Sequence, residues 1–409
     1  MQNITKDMKF KKTLSDLFTK TLIVGSLFFG TPNSTAQEVS KNSLEKITLA
    51  SGDYQEPYVE WEKTFGIGDN IAYSVQQTND NGYILVGCDF LSSFLLKTNS
   101  KGELEWIKSI SKTGADITRL KDVKQVQDGG YIVTGSCRLS NGRDIYLLKT
   151  DSNGNKQWEK TFGVYYYSDY ANSVQQTNDG GYLVAGNSAS NACVLKTNFL
   201  GDLQWNTFFG EGDQNFVRSI QEKDSDYIAA VNEHYHTGLD NIFLYKLDSI
   251  GNIIENKLLI STYDVTVSSV QNTLDRGYIF TGGIFSSNTI KWDYYLLKTD
   301  SNGNKQWEKT YGGSGYDFAQ SVQISLDGSY IIAGFTRPGL NTGIYNTYIV
   351  GTDSDGNLKW EKYLGEDKNE KTYSMQRTRD NGYILTGYSY YYPYPDYKKN
   401  EIFLLKLSG

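Results

Sequence analysis

Two histidines occur in the chain, His234 and His236, and both fall in the segment Asn232-Glu-His-Tyr-His-Thr-Gly238. Residues two apart share a face when the backbone is extended. The pair can therefore offer two imidazoles to one metal ion, or one imidazole as a general base with Tyr235 or Glu233 beside it. The competing account is a solvated loop in which neither ring meets a substrate. Two histidines in a chain of 32 tyrosines carry little weight by themselves.

A second group is acidic. Asp69, Asp116, Asp169, Asp213, Asp264, Asp317 and Asp367 recur at nearly matching places along the chain. Hard cations take several oxygen ligands, so a ring of carboxylates is a candidate cation site, with Asp69, Asp169, Asp213 and Asp317 as its leading members. Aspartate also caps backbone N–H groups of its own loop, and an acid repeated in every unit is what a structural device looks like. Asp353-Ser-Asp355-Gly356-Asn357 opens like a calcium loop but lacks the later ligand positions, so turn chemistry accounts for it better. Zinc-type Cys/His spacing, a nucleophile elbow and a phosphate-cradling loop are all missing. No cofactor is expected.

The third group is aromatic. Tyr165, Tyr166, Tyr167 and Tyr170 form one cluster, Trp292 and Tyr345 stand singly, and Tyr388, Tyr390, Tyr391, Tyr392, Tyr394 and Tyr397 crowd the stretch YSYYYPYPDYKKN. Their spacing places them in loops. Exposed tyrosine offers rigid, amphipathic area at low entropic cost, which suits sugar stacking and protein contacts alike.

The elements that must position these groups are copies of one another. LLKTDSNGNKQWEKTFG at Leu147 to Gly163 returns at Leu296 to Gly312 with a single change, Phe162 to Tyr311, and weaker copies follow a period near 50 residues. Each unit has an upstream half of the type SVQQTNDGGYLVAG, found seven times from Ser74 to Gly387. Two short β-type runs flank an Asp/Asn/Gly cluster in each half, the signal of a hairpin, so a unit is four antiparallel strands. Runs such as YIVTG and YLLKT are apolar almost throughout, as middle strands covered on both faces require. The last run, KQWEKTFG, alternates and carries Glu-Lys, which protects a sheet edge from pairing with another chain.

Seven such sheets, each with two faces to bury, specify an all-β seven-bladed propeller, with a linear solenoid as the runner-up. The ends decide between them. Trp61-Glu-Lys-Thr-Phe65 is a fourth strand with no preceding three, and Ile402-Phe-Leu-Leu-Lys-Leu-Ser-Gly409 is a third strand with no fourth, so the two termini complete one blade. The 14% aromatic content, 40 Gly and only 5 Pro suit short strands and tight turns.

Residues 1–36 differ from the rest: Lys9, Lys11, Lys12 and Lys20 precede an apolar run from Leu22 to Gly30, then Ser34-Thr-Ala36. This reads as a secretory signal peptide cleaved near Ala36-Gln37, because the run is short of the roughly 20 apolar residues a membrane span needs. Residues 37–57 then form a linker and 58–409 the propeller. Cys88, Cys137 and Cys193 are an odd set for an exported chain, and all three are expected to be buried free thiols. A net charge of −7 with lysines scattered singly leaves no basic stripe, so nucleic acid is excluded as a partner.

With Asp-Ser-Asn-Gly-Asn ahead of the repeated Trp, the unit resembles the tryptophan-docking motif of pyrroloquinoline-quinone dehydrogenase propellers and the Asp-box of sialidases, though its Asp-to-Gly spacing departs from both. It is more similar to a secreted bacterial and archaeal propeller repeat of the type DGGYIVAG…LLKTDSNGNKQWEKTFGG. That resemblance implies the fold, export and a Trp that packs against the next blade, and it implies no activity. Some propeller polysaccharide lyases pair a His with a Tyr, the substance behind a role for His234, Tyr235 and His236. The favoured function is an exported, non-enzymatic binding or scaffold propeller, monomeric, that recognises a glycan or a protein through its loop face. The alternative is a polysaccharide lyase or glycoside hydrolase acting on extracellular polysaccharide. A quinone-dependent dehydrogenase ranks third, since neither a cofactor ligand set nor a vicinal Cys pair is visible.

Overall fold

A computed structural model describes residues 56–66, 69–89, 92–140, 142–164, 166–236, 239–286, 291–313, 315–338, 344–365, 368–390 and 400–409. The proposed signal peptide and most of the linker lie outside them. The described residues contain no helix, hence none long and apolar enough to cross a membrane. The strands form seven four-stranded antiparallel sheets, one per repeat, and the chain is a seven-bladed β-propeller. Blades 1 to 6 are each four consecutive strands.

Blade 7 is assembled from both ends of the described chain. β1 (Val59–Phe65) lies outside β28 (Glu401–Leu407), which pairs with β27 (Tyr383–Tyr390). The register runs from Val59 opposite Leu407 to Phe65 opposite Ile402. Tyr58 and Ser408 add two hydrogen bonds at 2.9 and 3.0 Å.

The core is divided into seven clusters, and each belongs to two neighbouring blades. One joins Ile84, Val86 and Leu95 to Leu120, Val123 and Tyr131; another joins Ala72, Leu85 and Leu96 to Ile384, Ile402 and Leu404 and so closes the ring. Middle strands are buried throughout while outer strands alternate, as in the patterns of β3 (Tyr83–Cys88), β4 (Ser93–Thr98) and β5 (Leu104–Ile110).

Three repeated devices fasten the blades. The Trp of each outer strand packs on the Tyr that opens the second strand of the next blade, at centroid distances of 5.7 to 6.1 Å for Trp61, Trp106, Trp158, Trp205 and Trp307. Glutamine side chains near the ends of the innermost strands cross from blade to blade: Gln376 and Gln77 accept backbone N–H groups of Gln77 and Arg379 at 2.6 and 2.9 Å. The lysine of LLKT is buried inside its own blade, where Lys97, Lys149, Lys196 and Lys298 reach Asp80, Asp128, Asp179 and Asp275 of the first turn at 2.7 to 2.9 Å. Cys88, Cys137 and Cys193 are buried and free.

Candidate functional site

The innermost strands are β2 (Ile71–Gln77), β6 (Ile117–Gln125), β10 (Tyr170–Gln176), β14 (Gln214–Lys223), β18 (Val265–Asn272), β22 (Tyr316–Ile324) and β26 (Asn369–Arg377). Every one of them carries a β-bulge at the residue just before the repeated Ser or Asp. A bulge leaves one residue out of the ladder and re-aims its side chain. The seven bulge residues are Tyr73, Lys121, Asn172, Arg218, Ser268, Gln320 and Tyr373, and all seven line a central channel of about 810 Å³. The ring after them is nearly uniform, Ser or Asp122, and the next is Gln except for Lys124.

At the mouth formed by the loops between blades, aromatic rings run in contact from blade to blade. Phe285, Trp292, Phe318 and Phe335 follow one another at centroid distances of 6.0, 5.1 and 5.6 Å. Phe335 meets Tyr345 at 5.6 Å and Tyr373 at 6.2 Å. Tyr373 stacks on Tyr388 at 6.0 Å, Tyr388 on Tyr390 at 6.1 Å, and Tyr373 meets Tyr73 at 5.4 Å. Cations cap the arc: Lys121 Nζ stands 3.3 Å from the Tyr73 centroid and Lys371 Nζ 3.7 Å from that of Tyr345. Two recesses open off the mouth, one of about 350 Å³ beside Asp69, Asp89, Arg119, Lys121 and Tyr170, the other of about 370 Å³ among Tyr316, Phe318, Phe335, Arg337, Tyr345 and Lys371.

Trp292, Tyr345, Tyr388 and Tyr390 were expected in exposed loops, yet they are half-buried in this arc. For Trp292, Tyr388 and Tyr390 the reason is strand length: β20 (Lys291–Thr299) begins before Trp292 and β27 runs to Tyr390, so these rings stand on sheet ends, while Tyr345 immediately precedes a strand and packs on Phe335. Tyr166 and Tyr167 do lie in an exposed loop, Tyr166 with 78% of its surface accessible. Tyr170 carries Arg143 above its ring at 5.3 Å. Tyr165, Tyr391, Tyr392, Tyr394 and Tyr397 lie outside the described residues, as does Asp367.

The histidines are not brought together on one ligand. His234 ends β15 (Asp226–His234), its Nδ1 against Asp240 and its ring 5.2 Å from Phe216. His236 has left the strand, its side chain 88% exposed, and Asp213 accepts its backbone N–H. Tyr235 donates to Glu233 at 2.8 Å, and burial followed by the Glu233 carboxylate pushes its phenol up to about 12, which makes it a poor base near neutrality. Glu233 also accepts from Tyr245 at 3.2 Å.

The aspartates are distributed around the propeller, and several of them accept backbone N–H groups of their own or a neighbouring loop. Asp169 accepts N–H groups of Val164 and Ala189 at 2.7 and 3.0 Å, Asp317 that of Gly313 at 3.0 Å, and Asp69 that of Asn400 at 3.0 Å. Burial raises the carboxyl of Asp317, with Asp293 adding to it, and the Asp317 Oδ1 atom has no hydrogen-bond partner. Two carboxylates fall short of the oxygen set a hard cation needs, and among the described residues no group of three or more His, Cys, Asp or Glu is arranged to hold a metal. Asp353 accepts backbone N–H groups of Asp355 and Asn357 at 2.9 and 2.8 Å, the chemistry of a turn.

The channel face was missed by a search of motifs and loops. A signal for it exists in the repeat alignment: the column before the constant Ser reads Tyr, Lys, Asn, Arg, Ser, Gln, Tyr, the least copied position beside the most copied one.

No family model and no curated protein matches the chain. Solved structures do. A puromycin hydrolase aligns with a TM-score of 0.51 at 10% identity, covering 78% of this chain and 50% of that one, so the chain spans half the length of that protein. Drosophila Plexin A, solved with Semaphorin 1b, aligns with a TM-score of 0.51 at 8% identity over 87% of this chain and 88% of that one. The β-propeller domain of the Trilobed protease from Pyrococcus furiosus aligns at 0.45 and 11% identity, covering 85% and 94%. At these identities the likeness to the first two shows the fold alone.

Proposed function

We propose that the chain is an exported, non-enzymatic binding propeller of the secreted repeat type it resembles, and that it takes a glycan at the mouth of its channel. The observation that carries the reading is the aromatic arc from Phe285 to Tyr73 at the channel mouth, half-buried except for the buried Phe335, which offers ring surface for pyranose stacking. A protein partner fits less well, since a stable protein interface calls for roughly 800 Å² per side and the arc curves into a channel. The histidine segment supports no enzyme: Tyr235 is held protonated and the two imidazoles serve different carboxylates.

The test is a glycan array probed with the secreted protein, followed by binding isotherms for the glycans retained. Replacing Tyr73 and Tyr373 together by Ala should weaken binding by about tenfold or more, each stacking contact being worth roughly 1 kcal/mol, in a variant that still unfolds cooperatively. Retention of proteins but of no glycan would replace this reading by the scaffold one. Depolymerisation of a retained polysaccharide would reinstate the enzyme. Export is tested separately by N-terminal sequencing of the mature protein, expected to begin at Gln37.

A further inference from the structure

Cations project into the channel at its lower end and at its upper end, the mouth. The lower ones are bound to oxygens of the protein itself, while Lys121 and Arg218 at the upper one lie over the rings of Tyr73 and Phe216 at 3.3 and 4.6 Å. Arg377 donates to the carbonyl of Ile324 at 2.9 Å, Arg379 to that of Thr78 at 2.9 Å, and Lys124 pairs with Asp122 at 2.6 Å. In the upper channel Lys121 and Arg218 occupy bulge positions, and Arg119 stands two residues before Lys121 on the same strand. Among the described residues none of these three has a carboxylate within ion-pairing distance. Acids near them are engaged elsewhere. Asp122 accepts Ser74 Oγ at 2.7 Å and the N–H of Val174 at 2.9 Å besides Lys124. Asp69 accepts Asn400, and Asp89 accepts the N–H of Ser92 at 2.5 Å.

Like charges lining two adjoining cavities without a carboxylate partner are costly, and Lys121 lines both cavities. Burial first, then Arg218 and Arg119, bring the Lys121 ammonium down to about 8, against the opposing pull of Cys88. Arg218 is exposed on the channel lining and lies over the Phe216 ring at 4.6 Å, a contact that leaves its N–H donors able to meet a solute. The chain as a whole carries a net charge of −7. A positive focus inside an acidic protein attracts small anions locally although the surface as a whole repels them. Guanidinium and ammonium groups are the donors that hold carboxylate and sulfate oxygens.

We infer that the ligand is an oxyanion-bearing sugar: its carboxylate or sulfate sits between Lys121, Arg119 and Arg218, while its ring stacks on Tyr73 and Tyr373. This rests on the glycan reading above and adds the charge of the ligand to it.

Three probes are compared by calorimetry on the full secreted protein: oligogalacturonate, sulfated dextran oligomers and neutral dextran oligomers. Either acidic probe, or both, should bind at least about tenfold more tightly than the neutral one and weaken as salt rises; the carboxylate and sulfate arms separate the two sources. The double substitution Lys121→Gln and Arg218→Gln should remove that preference, while Lys121→Arg with Arg218→Lys should keep it. Lys108→Gln with Lys257→Gln, on the outer strands, should leave it intact. If a neutral probe binds as well as the acidic ones, or if the outer substitutions cost as much as the inner, the inference falls and glycan binding stands. If no probe and no arrayed glycan binds, both fall. Should the Lys121/Arg218 variant fail to fold, Arg119→Gln alone reads the same preference.

Discussion

The indole of Trp158 lies on Gly201 of the following blade, so closely that a Cβ on Gly201 would stand 2.7 Å from the Cζ3 atom of Trp158. Gly201 also has φ of +78°, which L side chains rarely adopt. The pair explains why Trp and Gly repeat together: the turn of one blade is the floor on which the previous blade's ring rests. Gly201→Ala should therefore destabilise by about 1–3 kcal/mol through strain and contact, and Trp158→Ala by about 2–4 kcal/mol. Urea denaturation measures both. A Gly201→Ala variant as stable as the parent would show that the turn can move away from the ring.

The buried lysines set the acid limb of stability. Burial alone would raise Asp179, but hydrogen bonds from Lys196, Thr177 and the Gly181 backbone outweigh it and hold the carboxyl at about 2, and Asp80 and Asp275 behave alike. Folded values below the unfolded 3.8 contribute stability that is present above that pH and lost as pH falls towards 2. Melting curves between pH 5 and 2 should show this loss. Asp179→Asn should reduce its steepness, and an unaltered profile would mean that Lys196 draws no support from Asp179.

Glu370 acts with the opposite sign. Burial, then the nearby Glu62, raise its carboxyl to about 7, only partly offset by Lys368. A raised folded value means that the folded protein holds the proton more tightly. Its contribution is complete below the unfolded 4.5 and disappears as pH rises through about 7. Glu370→Gln should flatten the decline in melting temperature between those limits and raise stability at pH 8.

Ring closure is non-covalent and rests on β1. Deleting Tyr58 to Gly66 exposes β28 and unpairs the cluster that holds Trp61 and Phe65 against blades 7 and 1. Cooperative unfolding should be lost, and an unchanged calorimetric transition would contradict a closed ring.

Replacing His234 and His236 together by Ala should leave glycan binding within about twofold of the parent, since neither ring lies on the channel. His234→Ala alone should still cost stability, because the buried Asp240 would lose its imidazole partner and keep the N–H of Val265.

Much of the blade is local and was legible from the chain. The period-two alternation of KQWEKTF, the apolar YLLKT run and the Asp-Ser-Asn-Gly turn between them each follow from residues within a few positions of one another. The offset termini extended this to closure, because the unmatched strands Val59–Phe65 and Glu401–Leu407 are visible as missing halves. Even the Asx role of the repeated acids could be read, since Asp353 and its turn partners are neighbours in sequence.

The tertiary structure alone decided which residues share the lumen. Lys121, Arg218, Tyr73 and Tyr373 belong to four different blades, and nothing in local spacing brings them within reach; seven bulges and the closing of the ring do that together. Likewise the spacing of Lys196 and Asp179 along the chain does not pair them, and only the fold shows the ammonium buried against that carboxylate. The physical reason is that hydrophobic periodicity and turn chemistry act over a few residues. The charge and stacking environment of a channel, in contrast, is a sum over side chains separated by whole blades.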